Sequence, residues 1–362
     1  MTSLEHTLTG RDYLDPAVYE VDRDLVLHRS WFVAGRGERL APGNRDVVDV
    51  AGESVLLTRD RDGVLHAFAN VCRHRGAQLC TGHSASTQGS LMCPYHQWTY
   101  ALDGRLLATP RLEPGEVDTA QFPLLRHHVR EWEGFVFLCV ADEAPDFDHW
   151  LATDAAALSD LTRFGFGRLR IGAHASNVTA ANWKIVVENY LECLHCAHVH
   201  PEFAELVPHF GTGWTWDASR GDGGVTLARG TTLSAVGVDV DVPRIEGLRA
   251  EDHDGYFGGV VFPNAFVDVT ASCAVVSVLY PEGPHSTRME MDFLFSPAAL
   301  ADPSFDPRPI VEFSELVAAQ DSDVCELVHK GVSSRRFDHG VLTSKDAGVA
   351  AFVRRYRSAI AG

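Results

Sequence analysis

The chain has few positive charges and no long apolar runs. Its 362 residues include 31 Lys and Arg against 49 Asp and Glu, a net charge of −18. That balance opposes binding to a phosphate backbone, so nucleic acid is not expected as a partner. No apolar run approaches the ~20 residues of a membrane span, and residues 1–11 lack the basic start and apolar core of a secretory signal. We therefore expect a cytoplasmic protein without membrane contact, whose eight cysteines stay reduced.

Two redox signatures are also missing. No Gly-x-Gly-x-x-Gly fingerprint of a dinucleotide site follows a predicted strand, and no run of closely spaced cysteines of the plant-type ferredoxin kind occurs. The composition is otherwise that of a folded protein, with 45% hydrophobic and 22% charged residues, which excludes wholesale disorder. At ~150 residues per domain, the length favours about two domains.

The order of the predicted elements indicates an α+β protein. Residues 45–139 contain short strands separated by turns, including 54–58, 65–70, 102–106 and 134–140. An apolar stripe predicts a helix over 177–200 that is stopped by Pro201. Strand patterns return between 213 and 295, and helices are predicted over 309–329 and 347–360. A small β domain followed by an α+β domain is the organisation this pattern predicts.

Two cysteines and two histidines form the first candidate site. The chain carries Cys72-x-His74 and Cys93-x-x-His96, each at a turn between predicted strands. A Rieske 2Fe–2S cluster needs two thiolates on one iron and two imidazoles on the other. Each loop can supply one ligand of each kind. A tetrahedral zinc site is the alternative, but such sites usually take both cysteines from one turn and both histidines from another.

The predicted helix over 177–200 carries the second candidate site. Glu188, Glu192 and His195 recur at spacings of four and three, so they share one helix face. His200 lies five residues beyond His195, and both can bind one metal only if the helix loosens near residues 196–199. Two imidazoles and one carboxylate, with positions left open for dioxygen, form the facial triad of non-haem Fe(II) oxygenases.

This stretch resembles the large (alpha, terminal oxygenase) subunit of Rieske non-haem iron oxygenases. The resemblance is carried by Asn-Trp-Lys at 182–184 and Glu-Asn-Tyr at 188–190, and it places Asn189 among the catalytic residues. It implies that Glu192 bridges two metal centres, accepting hydrogen bonds from His195 and from His96 of a neighbouring subunit. Most ring-hydroxylating members have Asp at that position, whereas Glu is more typical of relatives that act on quaternary ammonium compounds.

The resemblance also implies a third iron ligand far downstream. The family pattern is an acidic or amide residue followed by Asp, with a Cys-Glu pair after it on a helix. The run Gln320-Asp321-Ser-Asp323-Val-Cys325-Glu326 fits this pattern. Asp321 aligns best because of its spacing to the Glu, and Asp323 is the alternative.

The family implies an all-β Rieske domain, expected at 41–150, and a helix-grip catalytic domain of antiparallel sheet and long helices, expected at 151–362. Residues 1–40 are expected to pack on the catalytic domain. The implied cofactors are a 2Fe–2S cluster and a mononuclear Fe(II), with O₂ as co-substrate. Electrons would come from NAD(P)H only through a separate flavin or iron–sulfur reductase or a ferredoxin. The family also implies a homotrimer in which each cluster serves the iron of the next subunit.

The expected function is hydroxylation or N-demethylation of a small quaternary ammonium or related compound. The alternatives are an aromatic ring-hydroxylating dioxygenase and a Rieske electron carrier without oxygenase activity. Aromatic side chains downstream of the helix could line a substrate cavity and contact a trimethylammonium group through cation–π interactions. They are Phe203, Phe210, Trp214, Trp216, Tyr256, Phe257, Phe262, Phe266 and Tyr280.

Overall fold

The structure is a computed structural model that describes residues 5–361 except 83, 86–88, 214–223 and 229–241. Trp214 and Trp216 therefore lie outside the described residues. In the part of the chain that is described, no helix combines the length and the hydropathy needed to cross a bilayer.

The strands are numbered β1 to β18 along the described chain. They are β1 Glu5–Thr9, β2 Phe32–Arg36, β3 Asn44–Val50, β4 Glu53–Arg59, β5 Leu65–Ala69, β6 Ser84–Ala85, β7 Ser90–Met92, β8 Thr99–Ala101, β9 Leu106–Ala108, β10 Arg126–Trp132, β11 Phe135–Cys139, β12 Arg170–Thr179, β13 Val225–Thr226, β14 Gly255–Val261, β15 Ala265–Val269, β16 Ala274–Pro281, β17 Thr287–Phe295 and β18 His339–Leu342.

The α-helices are numbered in the same way. They are α1 Gly10–Leu14, α2 Pro16–Asp22, α3 Phe147–Thr153, α4 Ala156–Asp160, α5 Trp183–Tyr190, α6 Cys196–Val199, α7 Pro201–Leu206, α8 Pro297–Ala301, α9 Arg308–Val332 and α10 Ala347–Ala361. A π-helical turn, Arg23–Leu27, follows α2 directly.

The chain forms two compact units. The large unit combines Met1–Leu27 with Asp146–Gly362, and the small unit is His28–Pro145. The predicted segment 1–40 is therefore divided. Residues 1–27 fold with the large unit, whereas 28–40, which include β2, belong to the small unit. The small unit ends at 145, where the sequence suggested 150.

The small unit is an all-β structure. One antiparallel sheet has the strand order β2-β11-β10-β5-β4-β3-β6, and a second has the order β7-β8-β9. Phe68, Trp98 and Tyr100 form its core together with Cys72 and Cys93. The two cysteines predicted to bind metal therefore lie inside the apolar core rather than at its surface.

The large unit is built on an antiparallel sheet with the strand order β12-β17-β16-β15-β14-β13. The long helix α9 packs along β12, and the shorter α5 packs against both α9 and β16. Helices therefore pack against this sheet, and the predicted α+β class with an antiparallel sheet and long helices is confirmed. Strands β1 and β18 pair separately, joining the two ends of the chain.

The predicted helix over 177–200 is wrong in its extent. Residues 177–179 continue β12, which pairs along its whole length with β17. Helix α5 starts only after Asn182, whose side chain accepts a hydrogen bond from the Lys184 N–H and so caps the helix. The helix ends at Tyr190, and Pro201 begins α7 instead of stopping a helix, because proline is well suited to the first turn.

One buried carboxylate connects three segments of the large unit. Asp22, at the end of α2, is fully buried. It forms an ion pair with the buried Lys184 ammonium and accepts hydrogen bonds from Trp183 Nε1 at 3.2 Å and from Tyr356 Oη at 2.6 Å. The Trp and Lys of the Asn-Trp-Lys motif are thus anchors that join α5 to α2 and α10.

Replacing this carboxylate by an amide is expected to destabilise the protein. Asp22→Asn leaves the Lys184 ammonium buried without a counter-charge, a change that typically lowers the free energy of unfolding by about 3–5 kcal/mol. The measurement is chemical denaturation. The matched control is Asp24→Asn, because Asp24 is exposed and pairs with the neighbouring Arg23; it should change stability by less than about 0.5 kcal/mol. Equal losses in both variants would contradict the anchoring role.

Candidate functional site

Two loops of the small unit present Cys72, His74, Cys93 and His96. In each loop the cysteine N–H donates to the carbonyl five residues later, from Cys72 to Ala77 at 2.8 Å and from Cys93 to Trp98 at 2.8 Å. In each loop the N–H four residues after the cysteine donates back to the cysteine carbonyl. The two loops thus share one hydrogen-bond pattern, which the spacing of the motifs does not show.

The four side chains meet as a cluster would require. The rings of His74 and His96 have centroids 4.6 Å apart, and both cysteines are buried. Burial raises the pKa of the Cys72 thiol, and the neighbouring thiol of Cys93 raises it further. Two buried sulfurs side by side can both be thiolates only if a cation lies between them, as iron does in a Rieske cluster. These residues therefore fit a 2Fe–2S cluster.

Sequence reasoning missed Tyr100 in this site. Its hydroxyl lies 3.4 Å from Cys72 Sγ and accepts a hydrogen bond from the Arg73 N–H at 3.0 Å. A hydroxyl beside a ligating sulfur is one of the contacts that tune the reduction potential of an iron–sulfur cluster. An aromatic residue in a strand carries no sequence signal for this role.

In the large unit a turn separates α5 from α6, and Glu192 organises it. Glu192 Oε1 lies 2.6 Å from His195 Nδ1, and Oε2 accepts a hydrogen bond from the Leu194 N–H. The carboxylate therefore holds the Nδ1–H tautomer and leaves Nε2 free for a metal. The loosening expected at 196–199 lies earlier, at 191–195, while 196–199 are helical. Glu188, predicted on the same face, instead accepts hydrogen bonds from Tyr13 Oη.

His200 is oriented in the same way by an amide. Its Nδ1 lies 3.0 Å from Gln320 Oε1, and its side chain is buried. Gln320 precedes Asp321 on α9, so one helix supplies both the group that orients His200 and the carboxylate beside it. The role of Gln320 as a positioning residue was not predicted.

The structure brings Asp321, and not Asp323, to the two imidazoles. Asp321 Oδ1 lies 3.0 Å from His200 Nε2 and 3.3 Å from His195 Nε2. Asp323, two residues further along α9, is exposed to solvent. Asn189 lies beside the same group, with its Nδ2 3.5 Å from His195 Nε2.

This geometry fits a mononuclear metal. Asp321 Oδ1 is buried and receives no hydrogen bond of good geometry from the described residues. Three ligand atoms each about 2.1 Å from one ion and at right angles lie about 3.0 Å apart, close to the two distances from Asp321 Oδ1 given above. Two histidines and one carboxylate on one face of the ion are the ligand set of non-haem Fe(II) oxygenases.

The charges of the three side chains depend on one another. Burial lowers the pKa of His195, but the Asp321 and Glu192 carboxylates outweigh burial and raise it to about 9. Burial raises the pKa of Asp321, but His195 and His200 outweigh burial and lower it. Because a histidine ligand must be a neutral imidazole, binding of a metal must remove a proton from His195.

The cysteines of the turn do not behave as expected. Cys193 and Cys196 form a disulfide, so the prediction that the eight cysteines stay reduced is wrong for these two. The turn at 191–195 brings their Cα atoms to 4.9 Å, within the range of disulfides. The cysteines at 72, 80, 93, 139, 273 and 325 are free and buried.

A cavity of about 140 Å³ lies next to Asp321. Three of the predicted aromatic residues, Phe203, Tyr256 and Phe266, line it. The cavity is also lined by residues that were not predicted: Val186, Tyr190, Asp268, Val275, Met289, Met291, Phe313 and Val317. Asp268 had a signal in the sequence, because it is the one acid in the apolar strand Ala265–Val269.

Comparison with known proteins gives the family. Residues 166–362 match the model of the ring hydroxylating alpha subunit (catalytic domain), which is more than half of the chain. The chain belongs to this family. Residues 30–127 match the Rieske [2Fe-2S] domain. The protein is thus a Rieske non-haem iron oxygenase that uses a 2Fe–2S cluster, a mononuclear iron and O₂.

Relatives of this Rieske oxygenase span nearly its whole length. The glycine betaine monooxygenase oxygenase subunit of Chromohalobacter salexigens is 29% identical over 97% of this chain and 85% of that protein. The carnitine monooxygenase oxygenase subunit of Escherichia coli is 30% identical over 91% of this chain and 85% of that protein. A solved quaternary ammonium Rieske monooxygenase has a TM-score of 0.80 at 24% identity, covering 98% and 95% of the two chains. The electron-carrier alternative is not supported, because these relatives are oxygenases.

Substituting one aspartate should remove one iron. We expect the wild-type Rieske oxygenase to hold three irons per chain and Asp321→Asn to hold two, because an amide is a weaker ligand without charge. His195→Ala should give the same result. Iron analysis with visible absorption is the measurement, and the absorption of the cluster should persist. Asp323→Asn is the matched control and should keep three irons. Retention of three irons by Asp321→Asn would reject the ligand assignment.

Proposed function

We propose that this chain is the terminal oxygenase of a system that oxidises a small quaternary ammonium or related N-methyl compound. The observation that carries the proposal is the aromatic cavity beside Asp321. Tyr190 stacks on Phe266 with ring centroids 4.0 Å apart, and Phe203 meets Tyr256 edge-on at 5.8 Å. Aromatic faces around a desolvated cation contribute about 2 kcal/mol or more of binding free energy. The relatives named for glycine betaine and carnitine support the same class.

The cavity volume favours small substrates. An apolar cavity of about 150 Å³ accommodates a molecule the size of benzene, and this one measures about 140 Å³. A trimethylammonium group with a short substituent fits that space, whereas a fused aromatic ring system does not. The volume thus opposes fused aromatic substrates but admits a single aromatic ring, and it is the relatives named for glycine betaine and carnitine that make the aromatic ring-hydroxylating alternative the weaker one.

The residues of the site position the groups around the reaction. When bound, the iron supplies reductive activation of O₂. Glu192 and Gln320 hold the two imidazoles in the tautomer that leaves each Nε2 free, and the apolar lining keeps bulk water from the reacting carbon. For an N-methyl group, one O₂, two electrons and two protons give a hydroxymethyl group and water. The hydroxymethyl group then loses its O–H proton, and its C–N bond breaks with the electron pair remaining on nitrogen, which gives formaldehyde, a tertiary amine and a proton.

Electron supply defines the proposed partners. The sequence carries no dinucleotide fingerprint after a predicted strand, so a separate flavin or iron–sulfur reductase or a ferredoxin would pass electrons from NAD(P)H to the cluster. We propose a cytoplasmic homotrimer in which Glu192 connects His195 to His96 of the partner subunit. A charged carboxylate that accepts hydrogen bonds from both imidazoles would give the electron a short polar route.

Single-turnover chemistry tests the substrate class without a reductase. The oxygenase with both centres loaded is reduced by dithionite, freed of excess reductant and mixed with O₂ and one compound of a panel. The panel contains choline, glycine betaine, carnitine, benzoate and naphthalene. We expect formaldehyde or an aldehyde from at least one quaternary ammonium compound, measured by mass spectrometry. Hydroxylated products from the aromatic compounds alone would overturn the proposal.

The bridging role of Glu192 has its own test. Glu192→Gln keeps an acceptor for His195 but loses the charge, so both centres should stay loaded while steady-state turnover falls at least tenfold. Iron content, the spectrum of the cluster and the rate with a surrogate reductase are the measurements. Glu312→Gln, an exposed position on α9, is the control. Wild-type turnover in Glu192→Gln would exclude the bridge.

A further inference from the structure

We propose that Asp268 is the anionic anchor of the substrate cavity, and that the substrate is a cation without a carboxylate rather than a zwitterionic betaine. This inference rests on the proposed function, because it specifies which quaternary ammonium compounds the cavity accepts. It differs from the substrates in the names of the two relatives, since glycine betaine and carnitine both carry a carboxylate beside their trimethylammonium group.

The position of Asp268 is fixed by two tyrosines. Its Oδ1 accepts hydrogen bonds from Tyr190 Oη at 2.7 Å and from Tyr256 Oη at 2.6 Å. Burial raises the pKa of both tyrosines, so their hydroxyls remain protonated donors. Among the described residues, nothing donates a hydrogen bond to the second oxygen, Oδ2, and no Lys or Arg forms an ion pair with this carboxylate. The side chain is thus held rigidly with one oxygen uncommitted.

The two tyrosine hydroxyls that donate to Oδ1 favour the ionised form of the Asp268 carboxylate. Burial raises the pKa of Asp268 to about 6, although hydrogen bonds from Tyr256 and Tyr190 lower it. A buried charge needs a partner, because taking an unpaired ion out of water costs several kcal/mol. Since the described lining of the cavity contains no Lys or Arg, the counter-charge is expected from the ligand.

The surroundings of Asp268 suit a methylated ammonium. Tyr190 and Phe266 present stacked rings, and Met289, Met291 and Val275 add apolar surface to the same cavity. A trimethylammonium group has no N–H to donate, so it gains from aromatic faces and from a nearby negative charge rather than from directed hydrogen bonds. Asp268 with its two tyrosines provides both kinds of contact.

A carboxylate on the ligand has no complement in the described lining. The described ionisable groups that line the cavity are two acids, Asp268 and Asp321, two tyrosines and the thiol of Cys325, whose pKa is raised by burial. A bound Fe(II) would more than compensate the charge of Asp321, but no described side chain of the lining is placed to compensate a ligand carboxylate beside Asp268. A zwitterion must therefore bury a second negative charge near Asp268, which is repulsive at short range.

The test compares two probes that share the trimethylammonium group. Choline carries a hydroxyl, and glycine betaine carries a carboxylate. Binding to the fully iron-loaded protein is measured anaerobically by calorimetry, and product formation is measured in single turnover. We expect choline to bind at least tenfold more tightly than glycine betaine. Asp268→Asn should weaken choline binding at least tenfold and change glycine betaine binding much less. The ratio of the affinities for choline and glycine betaine should therefore fall.

The controls separate this inference from the proposed function. Asp292→Asn removes another buried carboxylate of the same sheet, one that pairs with His174 outside the cavity, and should leave the preference for choline intact. Circular dichroism and three irons per chain verify that each variant is folded. If Asp268→Asn does not fold, the inference is tested by the wild-type protein alone, through the ratio of its affinities for choline and glycine betaine.

The outcomes are distinct. Tighter binding of glycine betaine than of choline, or unchanged choline binding in a folded Asp268→Asn, overturns the inference while oxidation of either probe still supports the proposed function. If no quaternary ammonium compound binds or reacts, the proposed function fails and the inference fails with it.

Discussion

The two hydrogen bonds accepted by the Glu192 carboxylate are the interaction on which the mononuclear site depends. One oxygen receives the Leu194 N–H and holds a turn between two helices, and the other fixes the tautomer of His195. In a regular helix the five-residue spacing from His195 to His200 would point the imidazoles in different directions. His200 instead ends α6 in a non-helical conformation, and both rings face the carboxylate that α9 provides. A single side chain therefore determines backbone conformation, ring orientation and ligand basicity together.

The remaining parts of the site rely on rigid elements. Asp321 and Gln320 are neighbours on a 25-residue helix, so the carboxylate beside the imidazoles and the amide that orients His200 keep a constant separation. Helix α5 is held at its start by the buried carboxylate of Asp22, which reaches it from another part of the chain. The residues of the mononuclear site thus lie on or next to helices that are fixed by buried contacts. This limits the movement of their side chains.

Contiguous motifs could be predicted from the sequence, whereas contacts between residues that are far apart in the chain could not. The spacing of Cys72, His74, Cys93 and His96 indicated two matching loops, because a loop motif is contiguous. The extent of the helix before His195 could not be predicted, since residues 177–179 are recruited by pairing with a strand more than a hundred residues away. The cavity acid Asp268 depends on hydroxyls from two other elements. The disulfide between Cys193 and Cys196 requires the turn at 191–195, and the hydrophobic periodicity of the sequence predicted a helix there.

The small unit encloses its cluster ligands unequally. Cys72 and Cys93 lie within the apolar core, whereas His74 is exposed and His96 partly so. The iron held by the thiolates would thus be surrounded by a medium of low polarity, and the iron held by the imidazoles would face outward. The apolar core around Cys72 and Cys93 would slow electron transfer through the thiolate side of the cluster. The shortest path for an electron into or out of the cluster would therefore run through the imidazoles of His74 and His96, at the tips of the two loops.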